Sequence, residues 1–400
     1  MIKVGIIFHR LGPYHIARIR SLSAYFDTTC VELSGITSEY LWDKVTGSYS
    51  FQRITLFENI DSRKIPIKVL KERIFDLLNS LEINYILING WSEKAALIAL
   101  DWSISKKIPA ILMSESTEFD FRRIWYKEWF KRNLINLYSG ALVGGILHKN
   151  YLVKLGMSSE NICTGYDVID NEYFYLKTNE IRHQSALREK FSLPNKYFLA
   201  SKRFIQKKNI NRLLNSYKLY RQASHDPWDL VIIGDGPLRN QIISVLEELD
   251  LQKSVHLPGF IQYNEIPIYY AFAQAFVHAS TTEQWGLVVN EAMASGLPVI
   301  VSNKCGCVPE LVHNKKNGFT FDPYDIVELA SLLRIVENLT EEELLNLKLE
   351  SLKIIENFNP KKFGEGVYCL INLRRIKLMN INRRVEKIIL RFLIYLNLWK

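Results

Sequence analysis

Short β-branched runs alternate with amphipathic stretches along most of this 400-residue chain, and few folds accommodate that alternation. Lys3–Phe8, Thr29–Leu33, Tyr85–Asn89, Ala110–Met113 and Ala141–Val143 read as strands, and segments between them such as His15–Phe26 and Lys127–Tyr138 carry helical periodicity. Strands separated by helices cannot pair through tight hairpins, so they assemble into parallel sheets with helices on both faces. The pattern pauses between about residues 165 and 195, where Asp, Asn, Tyr and charged side chains dominate. A second series follows at Tyr197–Ala200, Asp229–Ile233, Val255–Leu257, Ala275–His278, Pro298–Val301 and Phe319–Phe321. The length exceeds what one core ordinarily supports and suits two. The expected architecture is α/β with two doubly wound domains, over residues 1–170 and 196–360. A connector over 171–195 joins them, and a return helix and tail occupy 361–400.

Composition narrows the class. An apolar share of 48% and a charged share of 23% belong to a globular protein, not a disordered or fibrous one. The five cysteines are an odd number without metal-site spacing. Cys305 and Cys307 lack a second pair or a His cluster, so reduced cytosolic thiols are expected and zinc is not. Met1 leads directly into a buried-strand pattern without the features of a signal peptide, and no run of roughly 18 to 20 apolar residues is present to span a bilayer. The net charge of +9 is uneven: residues 374–400 hold eight Lys/Arg against the single acid Glu386. A basic tail suits an anionic membrane surface or phosphorylated ligands, and its position argues against nucleic-acid binding by the body of the protein.

The stretch from Ala279 to Pro323 is the most informative. Glu283 and Glu291 stand eight apart, with Gln-Trp-Gly-Leu-Val-Val-Asn between them. Glu291-Ala-Met-Ala-Ser-Gly-Leu-Pro298 closes a helix with Gly296 at its end, and Pro298 opens the next strand. Gly286 lets a phosphate approach the helix start, where free N–H groups and the dipole favour an anion. Glu283, in the loop, can accept hydrogen bonds from sugar hydroxyls, and Glu291, two turns into the helix, can reach a ribose. A bare Glu pair is more often two solvated carboxylates. The apolar Leu287-Val288-Val289, the flanking glycines and the following strand favour the functional alternative.

These residues resemble family 4 of the glycosyltransferases, whose hallmark is E-x7-E in a phrase like E-x-F-G-L-x-x-x-E-A-M-A-x-G-x-P-V. Here it stands as Glu283-Gln-Trp-Gly-Leu-Val-Val-Asn-Glu291-Ala-Met-Ala-Ser-Gly-Leu-Pro-Val299, with Trp285 in the usual Phe place. Gly306-Cys-Val-Pro-Glu310 is similar to the family's G-G-x-P-E turn. Arg203 and Lys208 match the R-x4-K pair that clamps the donor diphosphate, and two cations on a loop suit two adjacent phosphates. Leu230-Val-Ile-Ile-Gly-Asp-Gly-Pro237 resembles the strand and turn holding Gly234, which serves either the donor or only the fold. Val255-His-Leu-Pro-Gly-Phe-Ile261 resembles the strand whose exit loop, at Ile261, holds the base. His256 and His278, inside strands, read as packed side chains. In the first domain, Gly12 is the counterpart of a Gly-rich loop, and His15 either faces the ligand or begins the helix. Where relatives carry a sugar-touching His, this chain reads Leu112-Met-Ser-Glu-Ser116, which offers Ser114 or Glu115. Gly165-Tyr-Asp-Val-Ile-Asp170, with Phe174, resembles the family's linker without its Asn.

The resemblance implies a GT-B fold, two Rossmann-like domains facing a cleft, with an acceptor side in the first and a nucleotide-sugar donor site in the second. It implies a retaining, metal-independent glycosyltransferase without a cofactor. Glu283, Arg203 and Lys208 would be catalytic; Gly12, Gly234, Ile261, Gly286, Leu287 and Glu291 would complete the donor site. The acceptor would be a glycan or lipid-linked molecule in surface polysaccharide or glycoconjugate assembly. A nucleotide-sugar epimerase on the same fold is the alternative enzyme, and a catalytically silent, membrane-recruited relative is the alternative from another class; no nucleic-acid motif accompanies the basic tail. In that tail Val385, Ile388, Ile389, Phe392, Leu396 and Trp399 recur at helical spacing with Arg383, Arg384, Lys387 and Arg391 among them. Either this stretch packs as a terminal helix or, the reading favoured here, it lies peripherally on an anionic inner membrane face of the cytoplasm, since the return crossing is spent by about Arg374.

Overall fold

The computed structural model describes residues 1–37, 42–373, 376 and 384–396. It divides into two compact units, residues 1–168 with 360–400 and residues 169–359.

The first unit is built on strands β1 (Lys3–Phe8), β2 (Asp27–Ser34), β3 (Gln52–Phe57), β4 (Tyr85–Asn89), β5 (Ala110–Ser114), β6 (Gly140–Val143) and β7 (Ile162–Thr164). Helices α1 (Pro13–Ser23), α2 (Ile67–Ser80), α3 (Lys94–Lys106), α4 (Trp125–Ile135) and α5 (Ile146–Lys154) connect them. The seven strands lie in the order β3-β2-β1-β4-β5-β6-β7 and every pair is parallel. Side chains alternate between its faces, as the two-residue period of a strand requires. Ile7, Ile86, Ile88 and Leu112 enter one core with α3, whereas Ile6, Phe8, Leu87 and Ile111 enter the other with α1. Two strands were not read from the sequence. β3 is an edge strand only partly buried, with the polar Gln52, Arg53 and Thr55, and β7 has three residues, so neither carries a continuous apolar run.

The second unit carries α6 (Asn171–Arg182) and α7 (Ser185–Lys190), so the segment read as a connector is mostly helical. Its sheet comprises β8 (Tyr197–Ser201), β9 (Asp229–Ile233), β10 (Val255–Gly259), β11 (Ala275–His278), β12 (Val299–Ser302) and β13 (Gly318–Phe321). Around them run α8 (Ile210–Ala223), α9 (Arg239–Glu248), α10 (Ile266–Phe272), α11 (Leu287–Ala294), α12 (Val308–Leu311), α13 (Ile326–Glu337) and α14 (Glu341–Glu356). The order is β10-β9-β8-β11-β12-β13, again all parallel. Strands such as Asp229–Ile233 are buried almost throughout, as a parallel sheet covered on both faces demands.

The chain then returns to the first unit through α15 (Lys361–Tyr368) and ends in α16 (Arg384–Tyr395). Here the structure corrects the expectation that the stretch beyond Arg374 has no core. α16 packs on α3 and α4, burying Ile389, Leu390, Leu393 and Ile394 in the first unit. Val385, Ile388 and Phe392, three of the residues read as its apolar stripe, form the outward face instead. Arg391 points its Nε at Asp101 Oδ1 of α3, 3.4 Å away. Arg383, Trp399 and the side chain of Arg384 lie outside the described residues. Packing of this kind has a measurable consequence. Leu390, fully buried, is expected to cost about 2–5 kcal/mol when replaced by Ala. Phe392→Ala, on the exposed side of the same helix, is expected to stay within about 0.5 kcal/mol of wild type. Urea unfolding followed by circular dichroism tests the contrast, and equal effects would show that α16 is not held by its inner face.

Candidate functional site

Where strand order reverses in an open parallel sheet, the flanking loops leave in opposite directions and open a crevice at the carboxyl edge. In the second sheet that reversal falls between β8 and β11. The two segments singled out in the sequence, the basic loop from Arg203 to Lys208 and the loop holding Glu283, are at the exits of these two strands.

The two loops are tied together. Asn209 sits in the left-handed region at φ +57, and its Nδ2 donates to Ala279 O at 3.0 Å and Pro323 O at 2.8 Å. The Thr281 amide donates to Lys207 O at 2.8 Å. That frame brings the Lys208 ammonium directly onto the Glu283 carboxylate. Lys207 Nζ lies 3.5 Å from Glu283 and His278 Nε2 3.6 Å from it, and Ser280 Oγ donates to it at 3.3 Å. Glu283 is further fixed by its backbone: its amide donates to Lys304 O at 3.2 Å, and Gly306 N donates to Glu283 O at 3.0 Å. The Gly306–Glu310 turn therefore positions the glutamate. Trp285, in the usual Phe place, is buried, and its indole N–H donates to Asn290 Oδ1 at 2.9 Å, so the larger ring leaves no polar atom stranded.

Electrostatics follow from this enclosure. Burial works against charge on Glu283, but the hydrogen bond from His278 and the neighbouring Lys208 and Lys207 outweigh it and hold the carboxyl well below the usual range. His278 is fully buried, and burial lowers it to about 4 despite Glu283, so it is neutral near pH 7. The sequence reading of His278 as a packed side chain describes its burial but misses its place beside Glu283.

Other candidates occupy distinct roles. Arg203 stands exposed in the turn after β8, and the structure does not bring it onto Glu283. Gly286 precedes α11 at φ +109, so a side chain there would strain the backbone where the helix presents its first amides, beginning at Leu287. Glu291 lies one turn into α11 rather than two, because the helix begins only after Gly286. It is 1% exposed and accepts a hydrogen bond from Tyr270 Oη at 2.8 Å. Gly234 has a structural reason to be glycine: a β-carbon there would fall 1.9 Å from Lys202 O. Ile261 follows β10 and is partly exposed.

In the first unit, Gly12 caps α1, and its amide donates to His15 Nδ1 at 3.0 Å. His15 therefore begins the helix, with its ring 4.4 Å from that of Phe8, and burial holds it down at about 3. Ser114, the last residue of β5, is buried and its Oγ accepts from Ser116 N at 3.2 Å. Glu115 lies beside Asp167, whose carboxyl is pushed up by burial and by Glu115 while Arg18, 3.6 Å away, pulls the other way. Arg18 and Asp167 in the first unit, and Lys202, Asn209, Ser280 and Tyr270 in the second, were not singled out from sequence, because their spacing carries no signal and only the folding of each unit places them. Among the described residues no group of three or more His, Cys, Asp or Glu side chains is placed to hold a metal ion.

His278 gives the site a pH signature in stability. The unfolded imidazole titrates near its ordinary value of about 6.5, whereas the folded one titrates near about 4. The unfolded chain binds the extra proton between these values, so this contribution is complete above about pH 6.5 and is lost as pH falls toward about 4. In His278→Asn the decline of unfolding free energy across that window is expected to be shallower by up to ~1.4 kcal/mol per pH unit. Urea melts at several pH values read the slope, and an unchanged slope would contradict the placement of His278.

Residues 182–348 match the family model described as glycosyl transferases group 1. An uncharacterized glycosyltransferase of Haemophilus influenzae is 31% identical over 159 residues, 40% of this chain and 44% of that protein. The alpha-monoglucosyldiacylglycerol synthase of Acholeplasma laidlawii is 30% identical over 160 residues, 40% of this chain and 37% of that one. The chain thus spans less than half the length of these relatives. Among solved structures, Anabaena HepE in complex with UDP superposes with a TM-score of 0.71 at 17% identity, covering 92% of this chain and 98% of that one. Sucrose-phosphate synthase from Thermosynechococcus elongatus superposes with a TM-score of 0.71 at 16% identity, covering 94% and 99%. These likenesses show the two-Rossmann-unit GT-B fold, and over residues 182–348 the chain is similar to the group 1 glycosyl transferases.

Proposed function

We propose that the protein is a retaining, metal-independent glycosyltransferase that moves a sugar from a nucleotide-sugar donor to a glycan or glycolipid acceptor. The observation that carries this reading is the meeting of Lys207, Lys208, His278 and Glu283 at the reversal point of the second sheet, inside the segment that matches the family. Transfer from a nucleoside diphosphate needs positive charge where the leaving phosphate gains negative charge, as the anomeric carbon acquires oxocarbenium character. Arg203, Lys208 and the first amides of α11 after Gly286 supply it from the chain itself, so the reaction calls on no cofactor. Glu283 serves the sugar hydroxyls. In the retaining reading, the departing phosphate oxygen takes the acceptor proton on the face it leaves. HepE structures hold UDP, which makes a uridine donor the first to try, and two relatives named alpha-monoglucosyldiacylglycerol synthase favour a glycolipid acceptor. The epimerase alternative would need an acid and a base at the sugar beyond these groups.

A peripheral place on the inner membrane face goes with a lipid-linked acceptor. No helix of the described residues is long and apolar enough to cross a membrane. The outward side of α16 nevertheless shows Val385, Ile388, Phe392 and Tyr395 to solvent, and α4, which packs on it, exposes Trp125, Tyr126 and Trp129. Aromatic and aliphatic side chains interspersed with Lys127, Arg132 and Lys387 suit the headgroup layer of an anionic bilayer.

A screen reading release of free UDP, GDP or ADP from nucleotide sugars tests the activity. Arg203→Ala and Lys208→Ala are each expected to raise donor KM or lower kcat at least tenfold, since a charge-assisted bond contributes about 1.5–3 kcal/mol. Glu283→Ala is expected to abolish transfer while nucleotide binding persists. Normal kinetics in the Arg203/Lys208 double variant would overturn the assignment. For the membrane, sedimentation with phosphatidylglycerol vesicles at low salt is expected to fall as salt rises and to drop severalfold in Ile388→Ser/Phe392→Ser. Full-length protein that ignores such vesicles at low salt would remove the membrane from the proposal.

A further inference from the structure

Lys202 is a buried cation of the second unit, and neither the sequence pattern nor the mechanism above uses it. It follows β8 directly and precedes Arg203. The residue is 5% exposed, and among the described residues its Nζ has no hydrogen-bond partner. Its main chain is locked, because the turn at Gly234 packs so closely on Lys202 O that only a glycine fits there. A long charged side chain ordinarily snorkels to water or finds a carboxylate. Lys202 does neither, although it lies close enough to Glu283 to feel its field, because Glu283 is already taken by Lys208, Lys207, His278 and Ser280.

The groups that face it come from three loops and from the end of β11, where the buried, neutral His278 also feels its charge. Lys208 from the turn after β8 repels its charge, Glu283 after β11 opposes that repulsion weakly, and the Cys305 thiol after β12 stands close by. Asp235, on the turn after β9, is turned elsewhere, its carboxylate accepting from Gly236 N at 2.7 Å and facing Arg239 at 3.8 Å. Cys305 is buried and its thiol is pushed far up by that burial, so it stays neutral and gives no anion for the amine to pair with. Burial first, and Lys208 second, lower the Lys202 amine to about 7. An amine in this state lacks one thing, an anion at the crevice.

We propose that Lys202 is a third diphosphate-binding cation of the donor site, one that takes up a proton from solvent when the donor arrives. The inference rests on the donor-site reading and adds a residue and a proton to it. A diphosphate bound by Arg203 and Lys208 brings two negative charges toward the buried amine, raising its affinity for a proton and giving the ammonium an acceptor. The proton comes from the buffer and returns to it when the nucleotide leaves. Binding is thereby linked to protonation: the free site titrates near about 7 and the loaded one higher. Donor affinity is flat below about pH 7 and falls as pH rises from there toward the loaded value, because above it the proton must be taken from an increasingly basic medium. The two lysines thus divide the work, Lys208 holding Glu283 in the free protein and Lys202 charging on demand.

Calorimetric titration with UDP-glucose at pH 8, in two buffers of different ionisation enthalpy, counts protons directly. The sugar diphosphate is a diester with no ionisation near neutrality, so uptake reports on the protein. Wild type is expected to take up a substantial fraction of one proton, and Lys202→Met none. At pH 6.5 Lys202→Met is expected to bind about tenfold more weakly than wild type, the size of one charge-assisted bond, and the gap is expected to close as pH rises above 8. Met matches the length of the stem without a charge, and the proton count on wild type needs no variant. UDP-glucose binding without proton uptake, or uptake unchanged in Lys202→Met, would overturn the role of Lys202 while leaving the donor site standing. If UDP-glucose, GDP-mannose and ADP-glucose all fail to bind wild type, both the donor-site reading and this inference fall.

Discussion

A carboxylate taken out of water must be met by donors and cations, and around Glu283 that requirement organises the carboxyl edge of a whole sheet. Its partners come from the exits of two strands: Lys207 and Lys208 after β8, and His278 and Ser280 at the end of β11. The third neighbouring segment, Lys304 to Cys307 after β12, holds its backbone. Displacing any one of these loops would leave a buried charge without its compensation, a cost of several kcal/mol by the usual accounting for broken buried pairs. The loops are therefore much less free than their irregular backbone suggests. Asn209, with its amide bonded to both Ala279 O and Pro323 O, is the brace that makes this rigidity affordable.

The parallel sheet explains why these segments meet at all. Parallel strands all end on the same edge, and reversal of strand order between β8 and β11 makes neighbours of loops some 75 residues apart in sequence. The first sheet reverses in the same way between β1 and β4, so Gly12 and His15 occupy the corresponding edge of their own unit. There, however, His15 spends its Nδ1 on the α1 cap, and the Arg18–Asp167 pair lies buried with Glu115 beside it.

The C-terminal helix shows how one apolar segment can serve two surfaces. α16 is apolar on both sides: Ile389, Leu390, Leu393 and Ile394 close the core over α3, and Val385, Ile388 and Phe392 remain in solvent. A periodic apolar stripe states that a helix has a face to cover, but a helix with apolar residues at adjacent positions offers two candidate faces. Which of them meets the protein is decided by its packing against α3 and α4, a property of the folded unit.

The sequence by itself determined the two wound sheets, because burial on both faces writes a parallel strand as a continuous apolar run; β1, β4, β9 and β11 have the predicted bounds. It also determined the ends of α11, where Gly286 and Gly296 adopt positive φ that other residues resist. The edge strand β3 and the three-residue β7 were illegible, since a half-covered or very short strand needs no such run. At the site, Glu283 and Lys208 were legible through spacing, yet their direct contact, the neutral buried His278 and the unpartnered Lys202 were decided only by tertiary structure. Charge state and pairing depend on how much water and which partners surround a group, and those are set by strands and loops distant in the chain. Local sequence fixes dihedral preference and periodicity; only the assembled fold fixes solvation.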